Sequence, residues 1–137
     1  MTRGRSHGHR WTRVHDPIYR IEHWVFVGPH ATLAKAMAAV LPATVRAAVG
    51  DGMDDEAAGR CCGRQPKPVR PGAPYCTVSM VNETTSAEIE DTFLHEMIHA
   101  TTMTMKYVGV EASWSDDEAF TYYLTWLVRE VRKGLRV

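Results

Sequence analysis

Asp91-Thr92-Phe93-Leu94-His95-Glu96-Met97-Ile98-His99-Ala100 is the stretch on which the reading of this chain turns. It carries the pattern H-E-x-x-H within a segment of helical periodicity. In a helix, residues i and i+4 share one face, so two imidazole nitrogens reach a single ion. Glu96 lies about 100° round the helix from His95. From there it can act on a water beside the metal rather than bind the metal itself. Zinc accepts nitrogen ligands tetrahedrally at about 2.0–2.1 Å and activates water as a Lewis acid. A nearby carboxylate then serves as general base. The flanking Phe93, Leu94, Met97, Ile98 and Ala100 make the other sides of the helix apolar. A buried helix with two histidines and a glutamate needs partners for them. A Zn2+ ion would satisfy all three.

Outward from the motif, Thr85-Ser86-Ala87-Glu88 has capping-box form, so the helix is expected from about Ser86 to Lys106, stopping before Gly109. A second helix is expected to open at Ser115-Asp116-Asp117-Glu118 and to end at Gly134 after Arg132 and Lys133. A helical hairpin turning near Gly109 would bring Glu118 back to the metal as third ligand. Glu118 also suits the N3 position of a capping box from Ser115. It faces away from the apolar stripe Phe120, Tyr123, Leu124, Leu127 and Val131. Asp117, Asp116 and Glu111 are therefore alternatives, and His30 is an outside candidate.

Upstream, Ile18 to Val27 alternates as a strand, with Val25 and Val27 on one face and Trp24 and Phe26 on the other. Gly28-Pro29 ends it. Thr32 to Leu41 has helical spacing, Pro42 interrupts it, and the pattern runs on to about Val49. Residues 50–74, rich in Gly and Pro, read as one long loop and a candidate lid. Tyr75 to Val81 reads as a short strand whose polar face, Thr77 and Ser79, suits an edge. Residues 1–15, with four arginines and three histidines, read as a flexible basic arm. Residues 16–137 then form a single domain.

Composition narrows the function classes. The chain has 137 residues, 45% hydrophobic and 23% charged, with 16 Lys+Arg against 16 Asp+Glu. A zero net charge argues against a general nucleic-acid binder. The sum conceals a split. Residues 82–118 hold nine acids and one base, Lys106, between basic flanks. No apolar run is long enough to span a bilayer. Nothing resembles a secretory leader, so the expected address is the cytoplasm. Cys61, Cys62 and Cys76 lack C-x-x-C spacing and read as free thiols.

At this point the chain resembles the gluzincin group of zinc metallopeptidases. The resemblance rests on Leu94-His95-Glu96-Met97-Ile98-His99-Ala100 and on Glu118-Ala119-Phe120-Thr121-Tyr122-Tyr123-Leu124, and covers about residues 75–134. In that group a second helix supplies the ligand glutamate, with apolar residues two, five and six positions on. Phe120, Tyr123 and Leu124 occupy those offsets. The small size and the Asp91-to-Glu96 lead-in are also similar to minigluzincins and to metallopeptidase-like proteins of bacteriophages. The resemblance implies an α+β zincin-like domain with a short antiparallel or mixed sheet. An edge strand lies over the active-site helix and holds an extended peptide, and the C-terminal helix supplies the third ligand.

The implied activity is zinc-dependent hydrolysis of peptide bonds, with His95, His99 and Glu118 on the metal and Glu96 as general base. One position departs from the pattern. Four residues after the ligand glutamate, where the group commonly has an Asp that orients a histidine, stands Tyr122. Tyr122, with Tyr107 and Tyr123, is a candidate for oxyanion stabilisation. The implied partner is a peptide or protein substrate, with no membrane role. The alternative is a non-catalytic protein stapled by zinc, such as a phage virion or assembly component that docks through its basic arm.

Overall fold

The computed structural model describes residues 2–50, 57–65, 74–85, 87–111, 113 and 117–136. The chain opens with strands β1 (Thr2–Ser6) and β2 (His9–His15), followed by β3 (Glu22–Gly28). A short 3-10 turn (His30–Thr32) leads into helices α1 (Leu33–Val40) and α2 (Ala43–Val49). Strands β4 (Gly59–Arg64) and β5 (Cys76–Asn82) come next, then the long helices α3 (Ile89–Val108) and α4 (Glu118–Leu135). The five strands form one mixed sheet in the order β1-β2-β3-β5-β4. Only β3 and β5 are parallel, paired from Glu22↔Cys76 to Gly28↔Asn82. The expected α+β class is observed.

The alternation along β3 sorts the core into two layers. Trp24 and Phe26 pack with Leu33, Met37, Val45 and Met80 under α1 and α2. Val25 and Val27 pack with Phe93, Met97, Leu127 and Val131 of α3 and α4 on the other face. The sheet is thus covered on both sides. Pro42 separates α1 from α2 as expected. At the end of α3, Gly109 adopts a left-handed conformation (φ 80°), and its N–H bonds back to the Lys106 carbonyl. That is the glycine stop read from the sequence.

Four expectations are corrected. Residues 2–15 are not an arm but a hairpin at one edge of the sheet, with Ser6 paired to His9. The turn residues His7 and Gly8 both take positive φ, 48° and 82°, as a tight hairpin turn matched to strand twist requires. The arginines do not keep these residues in solvent. Arg13 lies over the Trp24 ring and faces Glu22, and Arg10 faces Glu83. Their stems cover the sheet while their charged heads stay partly wet.

Second, the segment 50–74 contains β4, which pairs antiparallel with β5. The lid reading of its remaining parts, 51–56 and 66–73, lies outside the described residues. Third, β5 is not an edge strand. It runs between β3 and β4 with every residue buried. Its polar face is satisfied from within, Thr77 by His23 and Ser79 by Cys61.

Fourth, both long helices differ from expectation at their ends. Helix α3 begins at Ile89 with no side-chain cap, because the Thr85 hydroxyl accepts from the Asn82 amide instead. Helix α4 runs through Gly134 to Leu135. Gly134 is therefore not a stop signal. It is where α4 lies against β2, and a Cβ there would collide with the Thr12 side chain. The Ser115 capping box lies outside the described residues.

Candidate metal and active site

Helix α3 turns a buried face, Phe93, Glu96, Met97, Ala100, Thr101 and Thr104, to the sheet and α4. His95 and His99 stand on its exposed side. Their Nε2 atoms are 3.0 Å apart, with ring centroids 4.7 Å apart and planes at 75°. A tetrahedral ion bound at about 2.0–2.1 Å would hold two nitrogens roughly 3.3 Å apart. The pair therefore needs only a slight opening to chelate one ion.

Glu96 is 3% exposed, and its Oε2 has no hydrogen-bond partner among the described residues. Burial raises its pKa above the ordinary carboxylate value, while neighbouring His95 pulls it the other way. Strand β4 passes directly over this carboxyl. A Cβ on Gly59 would come within 2.8 Å of Glu96 Oε1 and of Thr92 Cγ2. Glycine at that point lets the backbone of the edge strand approach the helix. A buried acceptor without a partner, next to two converging imidazoles, is a donor set suited to a divalent metal and a proton-transfer step.

The described structure does not bring a third ligand to this pair. Glu90 in the first turn of α3 meets Arg132 near the end of α4. Met105, late in α3, shares a cavity with Ala119 and Tyr123 at the start of α4. The two helices are thus antiparallel, and Glu118 stands level with the end of α3. His99 lies roughly 9 Å back along the axis from Met105 at 1.5 Å per residue. Among the described residues no three His, Cys, Asp or Glu side chains gather around one point. Asp117 precedes α4 and is exposed, as is Glu111 after α3. Asp116 lies outside the described residues. His30 sits in the 3-10 turn that leads into α1, which packs on the opposite face of the sheet.

The three tyrosine candidates are dispersed. Tyr107 stacks on Tyr75 at 4.3 Å near the far end of β4. Tyr122 is 72% exposed and lines the cavity at the start of α4. Tyr123 is buried in a hydrogen-bonded chain. Its hydroxyl donates to Asp16 Oδ2 at 2.8 Å and lies 2.7 Å from His23 Nε2, while His23 Nδ1 meets the Thr77 hydroxyl at 2.7 Å. Burial lowers the His23 pKa to about 3 and raises that of the Tyr123 phenol. Sequence reading missed this chain. Its one linear signal is a histidine inside the apolar strand β3, opposite a tyrosine in the apolar stripe of α4.

The thiols are free, as expected. Cys61 and Cys76 are pushed up to about 12 and about 11 by burial, and Cys62 is raised for the same reason. None is a thiolate at neutral pH. No helix among the described residues is long and apolar enough to cross a membrane. Comparison of the chain with protein-family models, with curated proteins and with solved structures finds no match.

Proposed function

We propose that the protein is a zinc-dependent metallopeptidase of zincin-like architecture. One observation carries the reading. Two imidazoles with Nε2 atoms 3.0 Å apart stand beside a buried carboxylate whose Oε2 has no partner among the described residues, beneath an edge strand. His95 and His99 would hold the ion, with Glu118 as the expected third ligand. When bound, zinc would supply Lewis acidity to the substrate carbonyl and to water.

The chain's own residues do the rest. Among the described residues strand β4 pairs with β5 on one side only, so its outer edge offers main-chain donors and acceptors to an extended peptide. Gly59 sets that edge against Glu96. The Glu96 carboxylate takes a proton as the amide is attacked and returns it to the leaving nitrogen. Its burial keeps competing solvent from the carboxylate and raises its basicity. A structural zinc staple would enclose the ion with four protein ligands. His95 and His99 are both exposed, which favours an open, catalytic site.

The test is zinc content together with peptide hydrolysis, for the wild type and for Glu96→Gln. Zinc in both with hydrolysis only in the wild type is expected. Equal hydrolysis in both would remove Glu96 as the base. Undiminished zinc affinity in Glu118→Ala would remove Glu118 as the third ligand.

A further inference from the structure

A second candidate site lies at the other end of the α3–α4 pair, where the loop between β2 and β3 meets the start of α4. There a cavity of about 360 Å³ is walled by aromatic rings, within the size range of small-molecule sites. Tyr19 lies 6.1 Å from Tyr123, and Tyr123 lies 5.3 Å from Trp126, centroid to centroid. These rings form one wall, and the exposed Tyr122 extends it outward. Asp16 also lines the cavity and is 2% exposed.

Asp16 accepts from the Ile18 and Tyr19 amides at 2.7 and 3.2 Å and from the Tyr123 hydroxyl at 2.8 Å. A carboxyl held by three donors is fixed in place. No ion pair to Asp16 occurs among the described residues, and no lysine or arginine lines the cavity. A buried carboxyl with no basic side chain lining the same cavity among the described residues, set against aromatic faces, is complementary to one ligand chemistry. A soft organic cation gains from the ring quadrupoles and from the carboxylate together. A neutral apolar molecule gains only from the walls.

We propose that this cavity binds a small quaternary ammonium compound through Tyr19, Tyr122, Tyr123 and Trp126, with Asp16 as its counter-ion. The cavity suits a head group with a short tail rather than a polymer. It is separate from the His95–His99 pair and does not depend on the metallopeptidase reading.

The test uses the full chain and two probes of nearly equal shape, choline and its neutral isostere 3,3-dimethylbutan-1-ol, followed by calorimetry. Choline is expected to saturate one site, with the neutral alcohol at least about tenfold weaker. Tyr122→Ala, at an exposed position, is expected to weaken choline about three- to tenfold with the melting temperature unchanged. Asp16→Asn is expected to abolish the preference for choline over the alcohol. Equal binding of both probes to the wild type, no choline binding, or unchanged choline binding by a folded Tyr122→Ala would overturn the proposal. So would a trimethyl-lysine peptide that binds more tightly than choline, because the ligand would then be a protein segment.

Discussion

Two histidine arrangements sit on the same face of the sheet and have opposite chemistry. His23 is 1% exposed, and both its ring nitrogens are engaged, by Thr77 and by Tyr123. His95 and His99 are exposed, and among the described residues their Nε2 atoms meet only each other. Asp16 ends the first chain as a carboxylate with three donors, whereas Glu96 stands beside the second with an orphaned oxygen. A polar cluster that closes on itself inside a protein holds the fold together. A cluster left open at the surface, with an unsatisfied buried neighbour, is built to receive something.

The largest expected effect tests the open cluster. Glu96→Gln keeps the shape of the side chain and removes its basicity. Peptide hydrolysis is expected to fall about 10²–10⁴-fold with zinc content unchanged, the range for loss of a general base.

Tyr123→Phe tests the closed cluster. It leaves Asp16 Oδ2 without its donor and His23 Nε2 without the oxygen it faces. We expect a loss of about 1–3 kcal/mol in urea unfolding, with hydrolysis retained. A loss of hydrolysis at full stability would show that the two clusters are coupled.

Acid separates the clusters further. The folded pKa of His23, about 3, lies below its ordinary value of 6.5. Between those values the unfolded chain binds the extra proton. This contribution to stability is therefore complete above pH 6.5 and shrinks as the pH falls towards 3, with a slope of up to about 1.4 kcal/mol per pH unit. The drop between pH 7 and pH 5, about 2 kcal/mol from this group, should be absent from the stability curve of His23→Gln. Parallel curves for the two proteins would refute the assignment. The smallest effect belongs to Tyr122→Ala, which should change stability by no more than about 0.5 kcal/mol while weakening choline.

The open cluster was legible in the sequence, and the closed one was not. H-E-x-x-H places its three groups within five residues of one helix, so helical geometry alone brings His95 to His99. The chain Asp16–Tyr123–His23–Thr77 draws on two strands, a loop and the last helix, and no local period encodes it. The same distinction explains the errors in the fold. Strand β3 and the α1–α2 break were legible from alternation and from Pro42. The β1–β2 hairpin was hidden because its turn uses His7 before Gly8 rather than Asn or Asp, and because its strands are rich in arginine. Gly59-Arg60-Cys61-Cys62-Gly63-Arg64 shows no apolar alternation, since two glycines serve close approach to α3 and to Tyr75. Thr77 and Ser79 looked like an exposed face because their partners lie far away in the chain. The third metal ligand is not legible for the same reason. Its position depends on the register of α3 against α4, which the spacing of His99 and Glu118 does not determine.

The mixed pairing of the sheet has a consequence for how the protein folds. Ser6–His9 and His15–Glu22 are short closures, so β1, β2 and β3 can assemble from local contacts. Joining Glu22 to Cys76 closes a much longer loop, and docking Gly134 on Thr12 brings together nearly the whole chain. Long closures lose more chain entropy before any contact repays it, and they form slowly. The hypothesis is that the meander of β1 to β3 forms first, and that Glu96 is sealed beneath Gly59 only in the last stage. Pulsed hydrogen exchange during refolding should then protect the amides of β2 before those of β4 and β5, and simultaneous protection would rule this order out. On this pathway the half of the protein that carries the proposed site is the half that matures last.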